Sequence, residues 1–318
     1  MNVIEIKNLH LGFNCENGWC EAIHGVSFEL AKGELHALVG ESGCGKTITA
    51  MSILNLLPKN ARITDGEILF HEKNILTLSA NEMNKIRGAK IALIPQDPMT
   101  SLNPLYTIEN QLLEVIKIHQ GLQGKAAYDK AIEALELVQI PCAKDRIKSY
   151  PHEFSGGMKQ RAIIAMALAC QAEVIIADEP TTALDVTIQA QIMNLLNEIK
   201  REQGTSILLI THDLALVKEN ADRISVMYSG EIVESGQNAE FFTSPKHPYT
   251  IALLNSLPNI ERGRLETIDG QPPNIQQKIS GCKFHPRCGE CFELCSKDVP
   301  QKTQLSPSHS AKCFLLSN

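Results

Sequence analysis

Short apolar runs alternate with longer amphipathic stretches over most of the chain. Val3–Ile6, Ala22–Leu30 (with Ile23, Val26 and Phe28) and Leu35–Val39 read as strands, and Thr47–Leu57 reads as a helix closed by Pro58. Gly66–Phe70 and Lys90–Pro95 are further strands. Ile108–Val138 is helical in pattern, with Gly121 and Gly124 as a break, and Met158–Cys170 is a helix rich in Ala, Ile and Met. Val174–Ala177 and Ile207–Thr211 read as buried strands around a helix at Ile188–Arg201. Ile224–Tyr228 and Glu231–Glu234 flank Ser229-Gly230, a hairpin signal. Strands alternating with helices predict an α/β core with a largely parallel sheet.

The texture changes past Leu257. Pro258, Gly263, Gly270, Pro272, Pro273 and Gly281 punctuate a loop-rich tail with little apolar periodicity. A piece of that size cannot build a sizeable core and commonly needs a metal or disulfide staple. The boundaries predicted are 1–257 for the main domain and 258–318 for the extension.

Composition narrows the classes. The 318 residues are 43% apolar and 21% charged, which suits a folded globular chain and excludes collagen, coiled coil and disorder. No apolar run approaches the ~18 residues of a membrane helix, and no secretion signal is visible at Met1–Lys7, so a cytoplasmic location is expected. The formal net charge of −6 argues against a dedicated nucleic-acid binder and gives no support for direct binding to anionic lipid. Of ten cysteines, Cys282, Cys288, Cys291, Cys295 and Cys313 crowd into the tail. In a reducing compartment such a cluster points to metal or iron–sulfur ligation before disulfides.

The chemistry starts at Gly40-Glu41-Ser42-Gly43-Cys44-Gly45-Lys46-Thr47, which matches G-x-x-x-x-G-K-[ST] between a strand and a helix. Its glycines let backbone N–H groups wrap a phosphate, the helix start adds positive potential, Lys46 suits the β/γ oxygens and Thr47 suits Mg²⁺. Val174-Ile-Ile-Ala-Asp178-Glu179 delivers two carboxylates at a strand's C-terminal end, where open α/β sheets bind ligands. Asp178 suits the Mg²⁺ shell, and Glu179 suits the polarising of an attacking water. A solvated acidic pair would look the same alone; beside a phosphate loop the catalytic reading is preferred. Ser155-Gly156-Gly157 opens the Ala/Ile/Met helix as a second anion cradle, surplus to one nucleotide unless it is only an ordinary helix cap.

Taken in order, these motifs resemble an ATP-binding cassette (ABC) ATPase over roughly residues 1–257. Gly40–Thr47 resembles its phosphate loop, Gln96 its Q-loop glutamine, and Ser155-Gly156-Gly157 its signature. Met158 stands where the signature usually has Gln, a departure seen in the peptide-importer branch. Asp178 and Glu179 fit the acidic strand end, Ala183-Leu184-Asp185 the D-loop and His212 the switch histidine. The resemblance implies a RecA-like P-loop core with an antiparallel β subdomain and an inserted helical subdomain at about 97–170. It implies ATP and Mg²⁺ as cofactors, with Thr47, Gln96 and Asp178 around the metal. Glu179, His212 and Gln96 would be catalytic. Ser155, Gly156, Gly157 and Asp185 would serve the nucleotide of a second ATPase subunit, in a heterodimer or a homodimer. For adenine stacking, Phe13 and Trp19 both stay open.

The tail narrows the branch. His247-Pro-Tyr249-Thr-Ile-Ala-Leu-Leu-Asn-Ser-Leu-Pro258 and Gly281-Cys282-Lys-Phe-His-Pro-Arg-Cys288 resemble segments of the dipeptide, oligopeptide and nickel importers. The resemblance implies an ATPase subunit, peripheral on the cytoplasmic face of the membrane, working with two transmembrane permease subunits and an extracytoplasmic solute-binding protein. It also implies a [4Fe–4S] cluster on Cys282, Cys288, Cys295 and Cys313, with Cys291 as an alternative ligand; zinc, completed by His285 or His309, stays open. A nickel or other small-solute importer is the alternative within the family. A soluble cassette ATPase acting on nucleic acid or ribosomes would carry tandem cassettes or coiled-coil insertions, and neither is visible. A P-loop phosphotransferase leaves Ser155 and His212 unexplained.

Overall fold

The computed structural model describes residues 1–16, 18–182, 184–257 and 268–316. The chain divides into two compact units, one made of residues 1–77 with 210–318 and the other of residues 78–209.

In the first unit, strands Gly18–Ala31, Asn2–Cys15, Ala61–Phe70 and Lys73–Asn74 form an antiparallel sheet in that order. The first strand is far longer than Val3–Ile6. Asn8 takes a left-handed φ of 48° and the register shifts beside it, so the strand bends at a bulge and continues. Gly66 lies opposite at φ 97°, where a Cβ would fall 2.4 Å from the Asn8 carbonyl oxygen.

A second group of strands in this unit runs Thr303–Gln304, Ser310–Ala311, Glu231–Gln237, Arg223–Tyr228 and Leu35–Val39. Leu35–Val39 is buried at every position, lies parallel to Arg223–Tyr228 and delivers the chain into the phosphate loop. Continuous burial is what a strand covered on both faces shows, and its one polar residue, His36, meets the Glu29 carbonyl and Ser225 Oγ at 2.8 and 2.9 Å. The expected hairpin forms, with Ser229 at φ 44° and Gly230 at φ 80°, a turn that matches strand twist. The tail is more than loop: Ser310–Ala311 pairs with Glu234 and Ser235 and extends this sheet. Glu234 is fully buried there. His309 Nε2 lies 2.7 Å from its carboxylate, which also accepts the N–H groups of Lys246 and His247 at 2.8 Å each. A buried carboxylate is tolerated only with such partners.

The second unit carries the parallel strands Val174–Asp178 and Ile91–Ile94, and strand Ser206–Thr211 up to Leu209. Helices Ile108–Gln120 and Gly124–Leu137 are separated where the glycines predicted, Gly121 capping the first at φ 70°. Helix Gly156–Ala169 packs against both and buries Ala162, Ile163, Ile164, Ala165, Ala167 and Ala169, so it forms the unit's centre. Among the described residues no helix is long and apolar enough to cross a membrane. Ala183, Pro258 and Gly263, named above, lie outside the described residues.

Candidate functional site

The phosphate loop belongs to the first unit. Gly40 has φ 154°, Gly43 φ 80° and Gly45 φ 110°. A Cβ on Gly40 would lie 2.2 Å from the Met227 carbonyl oxygen, and one on Gly45 2.6 Å from Ile23 Cδ1. A side chain at either position is strained at these φ angles and forces its neighbours to shift, and Gly45 stands immediately before helix Lys46–Ile53. That helix is shorter than Thr47–Leu57, because Asn55 turns left-handed at φ 50°. Lys46 is buried, and its ammonium donates to the carbonyl oxygens of Gly40 and Glu41 at 2.8 and 2.9 Å. A cation in a glycine-rich loop at a helix start, with Ser42, Gly43 and Thr47 exposed, suits a phosphate, which positive charge and backbone N–H groups bind. The donor set fits a nucleotide's phosphates and a hard cation. Cys44 is buried, which pushes its thiol up, so it packs as a small apolar group.

Contacts from distant parts of the chain hold the loop. The Glu41 N–H donates to Tyr249 Oη at 3.0 Å, and the Gly230 N–H donates to the Cys44 carbonyl at 2.9 Å. The Glu41 carboxylate takes two bonds from the Arg287 guanidinium, at 2.7 and 3.0 Å. Neither Tyr249 nor Arg287 was assigned a role from sequence. The signals were present in His247-Pro-Tyr249 and His285-Pro-Arg-Cys288, but nothing local tied them to Glu41. His212, exposed at the end of strand Ser206–Thr211, precedes Asp213, whose side chain caps helix Leu214–Asn220 by accepting from Ala215 and Leu216.

The second unit brings Gln96 and Glu179 together. Gln96 Nε2 donates to Glu179 Oε2 at 3.1 Å, and Thr182 Oγ1 donates to the same oxygen at 2.8 Å. Glu179 sits at φ 46°, a left-handed conformation unusual for a residue with a Cβ and often found at functional sites. Asp178, at the buried end of its strand, is 1% exposed. Ser155 accepts from the Met158 N–H at 3.3 Å and caps helix Gly156–Ala169; Ser155 and Gly156 are exposed, with nothing near a Cβ added at Gly156. Asp185 likewise caps helix Val186–Gln203 through the Ile188 N–H at 3.0 Å.

Two aromatics were open for adenine. Phe13 pairs with Cys20 and Trp19 with Asn14, so the two rings point to opposite faces of the sheet. The Arg62 guanidinium lies 4.9 Å from the centre of the Trp19 ring.

In the tail, Cys282, Cys288, Cys295 and Cys313 line one small cavity with His285, between Phe284 and Phe314. Gly281, at φ 65°, brings Cys282 against Cys295, whose carbonyl oxygen would lie 2.4 Å from an added Cβ. The Cys282 N–H donates to that oxygen at 2.8 Å. Burial pushes the Cys282 thiol up to about 11 and raises Cys288 and Cys313 as well. Cys291 is exposed and does not line the cavity. His309 does not either, being engaged with Glu234. Among the described residues no group of three or more His, Cys, Asp or Glu side chains is gathered closely enough to hold a single metal ion.

A phosphate loop, an acidic strand end and a second anion cradle define a nucleotide-hydrolysing enzyme of the cassette type. The family description "ABC transporter" matches residues 23–182, and "Oligopeptide/dipeptide transporter, C-terminal region" matches residues 233–295. The chain belongs to the ABC transporter ATPases and carries the C-terminal region of the oligopeptide/dipeptide group. It is 49% identical over 316 residues to the dipeptide transport ATP-binding protein DppD of Bacillus subtilis, covering 98% of this chain and 94% of that one. It is 45% identical over 314 residues to the oligopeptide transport ATP-binding protein OppD of Escherichia coli, covering 98% and 93%. Among solved structures it is similar to the ATP-binding cassette MJ0796, seen as a dimer in a post-hydrolysis state bound to ADP and Pi. The TM-score is 0.68 at 28% identity, covering 74% of this chain and 98% of that one.

Proposed function

We propose that the chain is the ATP-hydrolysing subunit of an importer for dipeptides or oligopeptides, peripheral on the cytoplasmic face of the membrane. Two such ATPase subunits close on two ATP molecules and drive a pair of permease subunits fed by a solute-binding protein. The observation that carries this is the surplus cradle. Ser155, Gly156 and Gly157 bare a helix start on the second unit while a complete phosphate loop already exists on the first. The likeness to a dimeric cassette supports a lid that serves a neighbour's nucleotide. The peptide substrate rests on the names of DppD and OppD and on the C-terminal region shared with that group.

In this reading Lys46 neutralises the β/γ oxygens, and Thr47, Gln96 and Asp178 would hold Mg²⁺, which would supply positive charge to the phosphates. Glu179, oriented by Gln96 and Thr182, polarises the water, and His212 stabilises charge on the γ-phosphate. Catalysis is then mainly positioning and charge neutralisation of an in-line transfer. The cassette occupies residues 1–257, with its helical part at about 97–170, and the extension follows from 258.

The test is pairing. The purified chain, alone and with its companion ATPase, should double in mass by light scattering when given ATP with hydrolysis blocked. Ser155→Arg should abolish pairing while leaving ATP binding on its own loop unchanged. Pairing undiminished in that variant, or never seen in the unmodified protein, defeats the proposal.

The extension would hold a [4Fe–4S] cluster on Cys282, Cys288, Cys295 and Cys313. Four thiols on one cavity support it. A tetrahedral zinc would draw its sulfurs to about 3.8 Å of one another, whereas a cubane of four irons reaches ligands standing further apart. Anaerobically purified protein should contain iron and acid-labile sulfide, and Cys295→Ser should lose both. Zinc without sulfide would overturn this.

A further inference from the structure

The extension reaches the phosphate loop through a bonded path. Arg287 immediately precedes Cys288 in the loop that lines the cysteine cavity, and its side chain is only 5% exposed. It forks onto Glu41, 246 residues away, with both amino nitrogens of the guanidinium on the two carboxylate oxygens at 2.7 and 3.0 Å. Its Nε donates to the Asp269 carbonyl at 2.9 Å, and it lies over the Tyr228 ring, 5.8 Å from the centroid. Glu41 is the first x of G-x-x-x-x-G-K-T, and its carbonyl is one of the two that hold the Lys46 ammonium. The Glu41 N–H is fixed by Tyr249. Tyr249 and Tyr228 pack edge-on at 4.6 Å, and both contact Phe284 at 5.2 Å. Phe284 stands within the Cys282–Cys288 segment. Glu41 is thus held at its backbone by Tyr249 near the end of the cassette and at its carboxylate by Arg287 of the extension.

We infer that Arg287 is a positioning residue for ATP binding: it fixes Glu41, and through Glu41 the carbonyls that station Lys46. A planar guanidinium bonded twice to a carboxylate sets orientation as well as distance, which an ammonium cannot do. A loop of small residues has little stiffness of its own, so an outside clamp decides how much ordering the nucleotide must supply when it binds. The order of the cysteine loop and the affinity for ATP become linked, since Arg287 and Cys288 are neighbours in one turn. The inference rests on Gly40–Thr47 being the nucleotide site.

The experiment uses the full-length protein and a fluorescent ATP analogue. Arg287→Ala should weaken binding about tenfold, a size typical of coupled charged neighbours, and raise KM more than it lowers kcat. Arg287→Lys should fall between, having charge without the fork. Glu41→Gln should weaken binding comparably, and the double variant should be no worse than either single one. Wild-type affinity in Arg287→Ala, or single effects that simply add, overturns the inference. Should Arg287→Ala fail to fold, Glu41→Gln decides, because it leaves the extension's own residues intact: wild-type affinity there is equally fatal. Lys46→Ala serves as the independent control. If that variant still binds the analogue normally, the assignment of the nucleotide site fails, whatever Arg287 does.

Discussion

Glu179→Gln is expected to reduce ATP turnover about a thousandfold, the scale on which a positioned general base acts, while ATP affinity stays within twofold of the parent. The amide keeps the shape and can still meet Gln96 and Thr182, but it cannot draw a proton from water. Lys46 and the phosphate loop, proposed above to hold the nucleotide, are untouched. Phosphate release and nucleotide titration on the same preparation separate the two quantities. Turnover close to wild type would remove Glu179 from the chemistry; loss of binding instead would make it a structural residue of the left-handed turn it occupies.

The second large effect concerns one methyl group. Gly40→Ala should leave a folded protein whose nucleotide affinity drops about a hundredfold, near 3 kcal/mol. The added Cβ would stand 2.2 Å from the Met227 carbonyl oxygen and 2.8 Å from Cys44 Sγ. Backbone must therefore move, and the first backbone to move belongs to the cradle. Strain of this kind at an over-determined position costs about 1–3 kcal/mol before any lost contact is counted. Calorimetric titration with ATP, beside a thermal melt, distinguishes a distorted loop from general unfolding. Unchanged affinity would show that the loop relaxes freely.

The cassette could be read from sequence because its chemistry is local. Gly40–Thr47 lies between a buried strand and a helix, and residues 174–177 present four buried apolar positions before the acidic pair. Both signals fit inside a dozen positions. The length of Asn2–Cys15 could not be seen, because Asn8 and the register shifts beside it interrupt the alternation that marks a strand. The pairing of Ser310–Ala311 with Glu234 and Ser235 was hidden for a different reason: two residues carry no period at all. Arg287 and Tyr249 escaped because their partner is far along the chain, and a side chain's reach across a fold leaves no local trace. The four cysteines singled out by the family resemblance are the ones that line a common cavity, whereas the spacing alone did not separate them from Cys291.

Ser310–Ala311 and Thr303–Gln304 also cover the outer side of Glu231–Gln237. Cutting the chain before them would strip the Glu234 carboxylate of its imidazole partner and bare a row of ladder groups that can recruit another molecule. Shedding the appendage would leave Glu234 with only the Lys246 and His247 N–H groups as partners, so its loss would be felt inside the cassette itself.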